Sequence, residues 1–408
     1  MTNIADGDER PGNGRSGFHR LTFLDGLRGV AALNVVFCHV VVGFQSTLLD
    51  GVADHAHFAW SASLAALPLV VLWNPEFPVA IFFVLSGVVL AGAVRNARPA
   101  HLPGLAVRRW LRLSGPILGT SVLAWGMAEA SLFRAVDASA LSGSRWLSYH
   151  YAWTAFVPND FLRMVWQSVG DIYISGTHYY NSALWTMPTE FRGSLAVFAF
   201  YALSPVAWPF KAAALLAGAA VAWDTPYLCF VAGVALFELR NRFAGPARGR
   251  RRAIGVLAPA GMLVALYLGG APFVLSPWYN WIETWLLAVS ANPVLLMHRT
   301  AAALVVVIAI LWPAMQTVLT GRVCAFLGRN SFMIYLVHIP ILCSFFSYGM
   351  ILLSPVAGYN AACLLMLPPF LGLVIGAAWI LTHLVDEPSI RLSRQAGRWL
   401  TWSSRPPA

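Results

Sequence analysis

Arg28 and His39, 11 residues apart, are the first residues in the chain whose types and spacing suggest chemistry. Arg28 opens an apolar run over residues 27–47, and His39 stands a little past its middle. In a helix that separation is about three turns, roughly 16 Å of axis, so the two share a face without touching. Ionisable side chains within a bilayer are costly and are functional candidates by default. A phosphorylated donor with a long arm, a shape that acyl-coenzyme A has, can anchor its head near Arg28 and reach His39 with its reactive end. Imidazole titrates near neutral pH and can act there as general base. The plainer reading makes Arg28 a cytoplasmic anchor and His39 a hydrogen-bond donor between helices. Asp25, three residues before Arg28, is close enough for a local ion pair.

Other ionisable residues extend this pattern. Arg109 and Arg112 fall on the same side as Arg28 and suit phosphate through their forked donors. Glu190 begins a later apolar run near the outer surface, placed to orient His39 or an acceptor hydroxyl. Pairing with Arg192 is disfavoured, because residues at i and i+2 of a helix do not face each other. His338 lies in another apolar run, one turn after Tyr335, and its plainer role is an interhelical hydrogen bond. Glu387 reads as a structural partner for nearby arginines.

The elements that must position these residues are membrane helices. The 408-residue chain is 58% hydrophobic and 11% charged, against roughly 25% charged in soluble domains. Apolar runs near the 20 residues needed to span a bilayer recur throughout, and lipid leaves backbone groups no partners outside a helix. Spans are expected at 27–47, 67–94, 113–130, 183–205, 211–224, 226–240, 254–271, 300–320, 324–346 and 361–385. The pair at 211–240 is split by Asp224-Thr225-Pro226, and 272–299 has room for a re-entrant piece. Of the 27 basic residues, all but Arg134, Arg145, Arg163, Arg192 and Arg299 fall on inner segments when the N-terminus is cytoplasmic. The expected fold is thus an all-α polytopic bundle of about ten spans with both termini cytoplasmic. Topology accounts for the net charge of +10 without nucleic-acid binding.

Residues 1–20 read as a disordered cytoplasmic tail without a cleavable signal, 21–390 as the membrane domain, and 391–408 as a basic cytoplasmic tail. The segment 131–182, rich in Tyr and Trp, is expected outside, as an interfacial belt or as stacking surface for a substrate. Five cysteines lie in apolar runs without a CxxC pair, so neither a disulfide framework nor a metal site is expected.

Several fragments, in order, resemble the acyltransferase 3 family of integral-membrane O-acyltransferases. Leu24-Asp25-Gly26-Leu27-Arg28-Gly29, followed by Phe37-Cys38-His39, is similar to the family's opening, whose Arg-x10-His signature falls on Arg28 and His39. Phe82-Phe83-Val84-Leu85-Ser86-Gly87, Arg109-Trp110-Leu111-Arg112 and Trp185-Thr186-Met187-Pro188-Thr189-Glu190 resemble its next elements. Leu327-Gly328-Arg329-Asn330-Ser331, Tyr335-Leu336-Val337-His338 and Asp386-Glu387-Pro388 resemble its closing ones.

The resemblance implies an enzyme of the cell (inner or plasma) membrane. It would move an acyl group, acetyl by expectation, from acyl-coenzyme A to a hydroxyl of a carbohydrate, glycolipid or secondary metabolite. His39 and Glu190 are the expected catalytic residues, and Arg28, Arg109 and Arg112 the donor-binding ones. Trp185, Tyr335 and His338 are expected on the substrate side, with Asp25 and Glu387 in support. Acyl-coenzyme A enters as a substrate, and no tightly bound cofactor is expected. A transporter or flippase using the buried His and Glu for proton coupling is the main alternative, and a non-catalytic receptor or scaffold a further one.

Overall fold

The computed structural model describes residues 22–203, 207–243 and 248–402, with side chains throughout except at 241–253 and 398–402. The expected tail over 1–20 lies outside the described residues. All regular structure within them is helical. The long helices are α1 (Thr22–Phe44), α2 (Glu76–Val94), α3 (Leu102–Glu129), α4 (Met187–Leu203) and α5 (Trp208–Ala222). They continue with α6 (Tyr227–Phe243), α7 (Arg248–Gly269), α8 (Pro293–Leu311), α9 (Arg322–Ile341) and α10 (Tyr359–Leu381). Wide turns carry α9 on to Ala357 and α10 on to Trp402, so the described part of the expected basic tail is helical. Five of these rods, α1, α2, α8 and the extended α9 and α10, are long and apolar enough to cross a membrane.

Proline and glycine move several boundaries from where hydropathy alone puts them. The second helix starts at Glu76, not 67, because Pro68–Leu72 forms a 3-10 turn and Pro75 precedes the helix. Pro293 starts α8 seven residues early, its missing N–H being no loss at a first turn. The same helix stops at Leu311, and Pro313 opens a separate short helix to Leu319. Helix α3 begins at Leu102, so Arg109 and Arg112 stand on a helix and not in a loop. The Asp224-Thr225-Pro226 break does separate two helices.

Helices α1 and α9 lie side by side and parallel at the centre. Without a hydrophobic drive between helices in lipid, close approach through small residues supplies the attraction. A Cβ added at Gly29 would lie 2.5 Å from the Gly328 nitrogen, and one at Gly328 would collide with the Asp25 carbonyl. The same register, an offset of 299 residues, pairs His39 with His338. The glycines of the Asp25–Gly29 and Leu327–Ser331 fragments thus set the distance at which the two histidines meet.

The segment after α3 does not stay at the surface as a simple loop. Asp160 caps a helical stretch from Phe161 to Ile174, its carboxylate accepting from Leu162 and Arg163 N–H. That stretch runs back along α3: Asn159 donates to the Trp125 carbonyl, Trp110 to the Val169 carbonyl, and Ser114 meets the Tyr173 hydroxyl at 3.0 Å. The short helices Ala135–Ser142 and Arg145–Tyr149 close over the ends of α1 and α9, where Ser144 donates to the Val42 carbonyl and the Arg134 backbone N–H to that of Cys343.

Candidate active site

The two central histidines define their own protonation pattern. His338 Nδ1 lies 2.7 Å from the Tyr335 carbonyl, and a carbonyl only accepts, so this nitrogen carries the hydrogen. His338 Nε2 is then a bare acceptor, 3.2 Å from His39 Nδ1. His39 Nδ1 also sits 2.8 Å from the Val35 carbonyl and is likewise the N–H. Both constraints leave His39 Nε2 with a free lone pair, as a general base requires. His338 is fully buried and orients its neighbour.

One cavity on the Arg28 side has a volume of about 280 Å³ and is lined by Arg28, Ser86, Arg109, Arg112, Glu190 and Tyr335, among others. Its charges are mutually paired. Glu190 accepts from Ser86 Oγ at 2.7 Å and from the Arg109 guanidinium, whose Nε also donates to Ser194 Oγ at 2.8 Å. Arg112 donates both terminal nitrogens to Asp386, at 2.5 and 3.3 Å, and lies 5.4 Å from the Phe332 ring. Arg28 is 3.4 Å from Asp25. Such pairing is what partly buried charges need, since a lone ion there would cost several kcal/mol.

A second cavity, of about 350 Å³, is lined by His39, Trp146, His150, Trp153, His178 and Trp185, among others. Its walls are aromatic: Trp146 packs 3.7 Å from the His150 ring and 5.4 Å from that of His39, and Trp153 packs 4.4 Å from Tyr179. Tyr151, also lining it, holds a left-handed backbone at φ 58°, clamped by stacking on Phe133 at 3.6 Å.

A thin partition separates the two. Trp185 and Thr186 are consecutive yet line opposite cavities, and Tyr335 and Ile339, a turn apart on α9, do the same. The Thr186 and Tyr335 hydroxyls meet at 3.0 Å on its arginine side. Pro340 explains how this wall is pinned. Lacking an N–H, it frees the Leu336 carbonyl four residues back, and Asn181 Nδ2 fills that place at 2.8 Å.

Arg28 and His39 thus stand on one helix and in different cavities. Glu190 is a correction. It does not reach His39; it belongs with Arg109 in the arginine-lined cavity, in the first turn of α4, after the 3-10 turn Ser182–Thr186. Arg192 does not pair with it and donates instead to the Tyr173 and Ile174 carbonyls. Glu387 accepts from Arg329 at 2.5 Å and lies 3.7 Å from Arg391, while its neighbour Asp386 takes Arg112. Sequence reasoning passed over His150, His178 and Asn181. The available signal for the histidines was their place among the Tyr and Trp residues of 146–180.

Fold and site together define a multi-pass helical membrane protein with a histidine pair between a charged and an aromatic cavity. Residues 21–383 match the model of the acyltransferase 3 family, described as an acyltransferase domain, and the chain belongs to that family. It is an acyltransferase, and that membership displaces the transporter and scaffold alternatives. No curated protein and no solved structure is significantly similar to the chain.

Proposed function

We propose that the enzyme transfers an acetyl group from cytoplasmic acetyl-coenzyme A to a hydroxyl of a carbohydrate, glycolipid or secondary metabolite that enters from the opposite face. The observation that carries this is the partition: His39, with a free Nε2, stands on the aromatic side of a wall whose other side is the arginine-lined cavity. The acyl-thioester arm enters past Arg28 and Arg109 as far as the Thr186–Tyr335 contact, and parting of that contact lets its carbonyl reach the His39 side. An acceptor held among Trp146, Trp153 and Trp185 presents its hydroxyl to His39. Nε2 takes the hydroxyl proton as oxygen attacks the thioester carbonyl. The tetrahedral intermediate collapses with cleavage of the C–S bond, and the proton passes to the departing thiolate. His338 keeps His39 in the reactive tautomer and shares the positive charge that forms.

We read the ten long helices as ten spans with both termini cytoplasmic. Supporting that alternation, the starts of α2, α6 and α8 gather at one pole, where Asp224 accepts from Ser290 and Ala291 before α8. At the other pole Tyr201, ending α4, and Glu238, ending α6, share a hydrogen bond beside Lys211, which opens α5. Most basic side chains among the described residues are read as belonging to that second pole.

The test is acyl transfer from radiolabelled acetyl-coenzyme A in purified membranes against a pool of glycans and lipids. Label transferred by wild type and lost in His39→Ala at equal protein level is the expected result. Equal label in both would remove His39 from the mechanism.

A further inference from the structure

The arginine-lined cavity does not end at Arg109. It opens through a cavity of about 570 Å³, which shares Arg109 and Arg112 with it, into an outer one of about 740 Å³ bounded by the end of α2, the start of α3 and the extension of α10. Arg108 and Arg394 line both of the latter two, and Arg95, Asn96 and His101 complete the outer one. From Phe82, beside Tyr335 in the innermost cavity, to Arg95 is 13 residues of α2 and the turn that follows, about 20 Å of axis.

The arginines along this path differ in one respect. The inner ones, Arg109 and Arg112, are neutralised by Glu190 and Asp386 of the same chain. Arg95, Arg108 and Arg394 have no carboxylate within ion-pair distance among the described residues, although they converge on one cavity. Like charges converging without a counter-ion repel, and a multiply charged anion reverses that cost. Guanidinium forks match phosphate oxygens in pairs, while His101 and Asn96 add hydrogen-bonding groups suited to a ribose or base. A volume near 740 Å³ falls in the range of small-molecule sites. The Arg108 side chain is laid into place by Gly397, where a Cβ would stand 3.3 Å from its Cδ.

We infer that this outer cavity holds the phosphorylated nucleotide end of the acyl donor, through Arg95, Arg108 and Arg394. The proposal rests on the donor class put forward above. The inner arginines then serve differently, for they are already paired and shape the passage for the uncharged arm. The extension of α10 thereby becomes part of the donor site, through Arg394.

The experiment compares acetyl-coenzyme A with acetyl-pantetheine, which keeps the thioester arm and lacks the nucleotide and its phosphates. Wild type and Arg108→Gln/Arg394→Gln are assayed in nanodiscs of neutral lipid and of lipid with anionic headgroups. The ratio of kcat/KM for acetyl-coenzyme A to that for acetyl-pantetheine is expected to fall about tenfold in the double variant, in both lipids, and Arg108→Lys/Arg394→Lys is expected to recover much of it. An equal fall for both donors would make the two arginines structural and overturn the assignment. An unchanged ratio, with dependence on anionic lipid lost in the variant, would give the cavity to a lipid headgroup instead. Transfer by wild type from neither donor would remove the donor class itself, and with it this site.

Discussion

The two cavities flanking the partition are opposites in how they present charge. On the arginine side, guanidiniums meet carboxylates drawn from distant helices: Arg109 with Glu190, Arg112 with Asp386. Across the wall no side chain lining the cavity among the described residues carries a fixed charge, and the polar groups include histidines tied in a common way. His39, His150 and His178 each have Nδ1 against a backbone carbonyl, of Val35, Trp146 and Gly176, at 2.8, 2.5 and 2.9 Å. Each therefore keeps Nε2 as an acceptor. A wall of aromatic faces with imidazole lone pairs suits a neutral ligand with several hydroxyls, and a wall of paired charges suits the uncharged arm of a donor whose phosphates lie beyond it. One helix pair, α1 with α9, serves both sides.

Removing the proposed base is the most severe way to test that division. His39→Ala is expected to lower kcat by about 10²- to 10⁴-fold, the usual share of a general base, with donor affinity retained. Donor binding lost together with turnover would mean that the partition does not separate the sites.

The charged side breaks differently. Glu190→Ala leaves the Arg109 guanidinium, only 16% exposed, without its carboxylate. That is expected to destabilise the protein by about 3–5 kcal/mol, seen as a lower unfolding temperature in detergent. Arg109→Met combined with Glu190→Leu, which removes both charges, is expected to be less harmful than either single loss. Single variants as stable as wild type would show water-filled surroundings and a dispensable pair.

These two tests also mark how far the sequence alone leads. His39 was legible because an ionisable group in a long apolar run stands out against its neighbours, and Arg28 because helical rise converts spacing to distance. The pairing of Glu190 was not. Arg109 lies 81 residues away, and only the packing of α4 against α3 brings the two together. Boundaries at 293 and 313 were visible as prolines and were outweighed by the hydropathy window. The cap over His39 is built from short helices and stacked rings across 135–180, with no period to read, so its aromatic content was legible and its concave shape was not.

His338 sharpens the comparison from between the two sites. His338→Ala removes one of the two acceptors of His39 Nδ1 and leaves the Val35 carbonyl, which is expected to lower kcat about 10- to 100-fold, in the range seen when an orienting partner is lost from a histidine ligand. His338→Gln, whose amide oxygen also accepts, is expected to restore part of it. A purely structural role would instead change protein level and both KM values without that rescue.

The smallest expected effect tests the aromatic side alone. Trp185 is 38% exposed and lines the His39 cavity, while its neighbour Thr186 lines the other. Stacking of an aromatic face is worth about 0.5–1.5 kcal/mol beyond area burial, so Trp185→Ala is expected to raise the acceptor KM by up to about tenfold. The donor KM should stay within about twofold, since Trp185 lines the His39 cavity and is not among the lining residues of the arginine-lined one. Thr186→Val is the matching probe on the other face, removing the hydroxyl that meets Tyr335 at 3.0 Å. If Trp185→Ala raised the donor KM as well, the wall would have to be permeable at that point, and the assignment of one cavity to each substrate would give way to a single shared chamber.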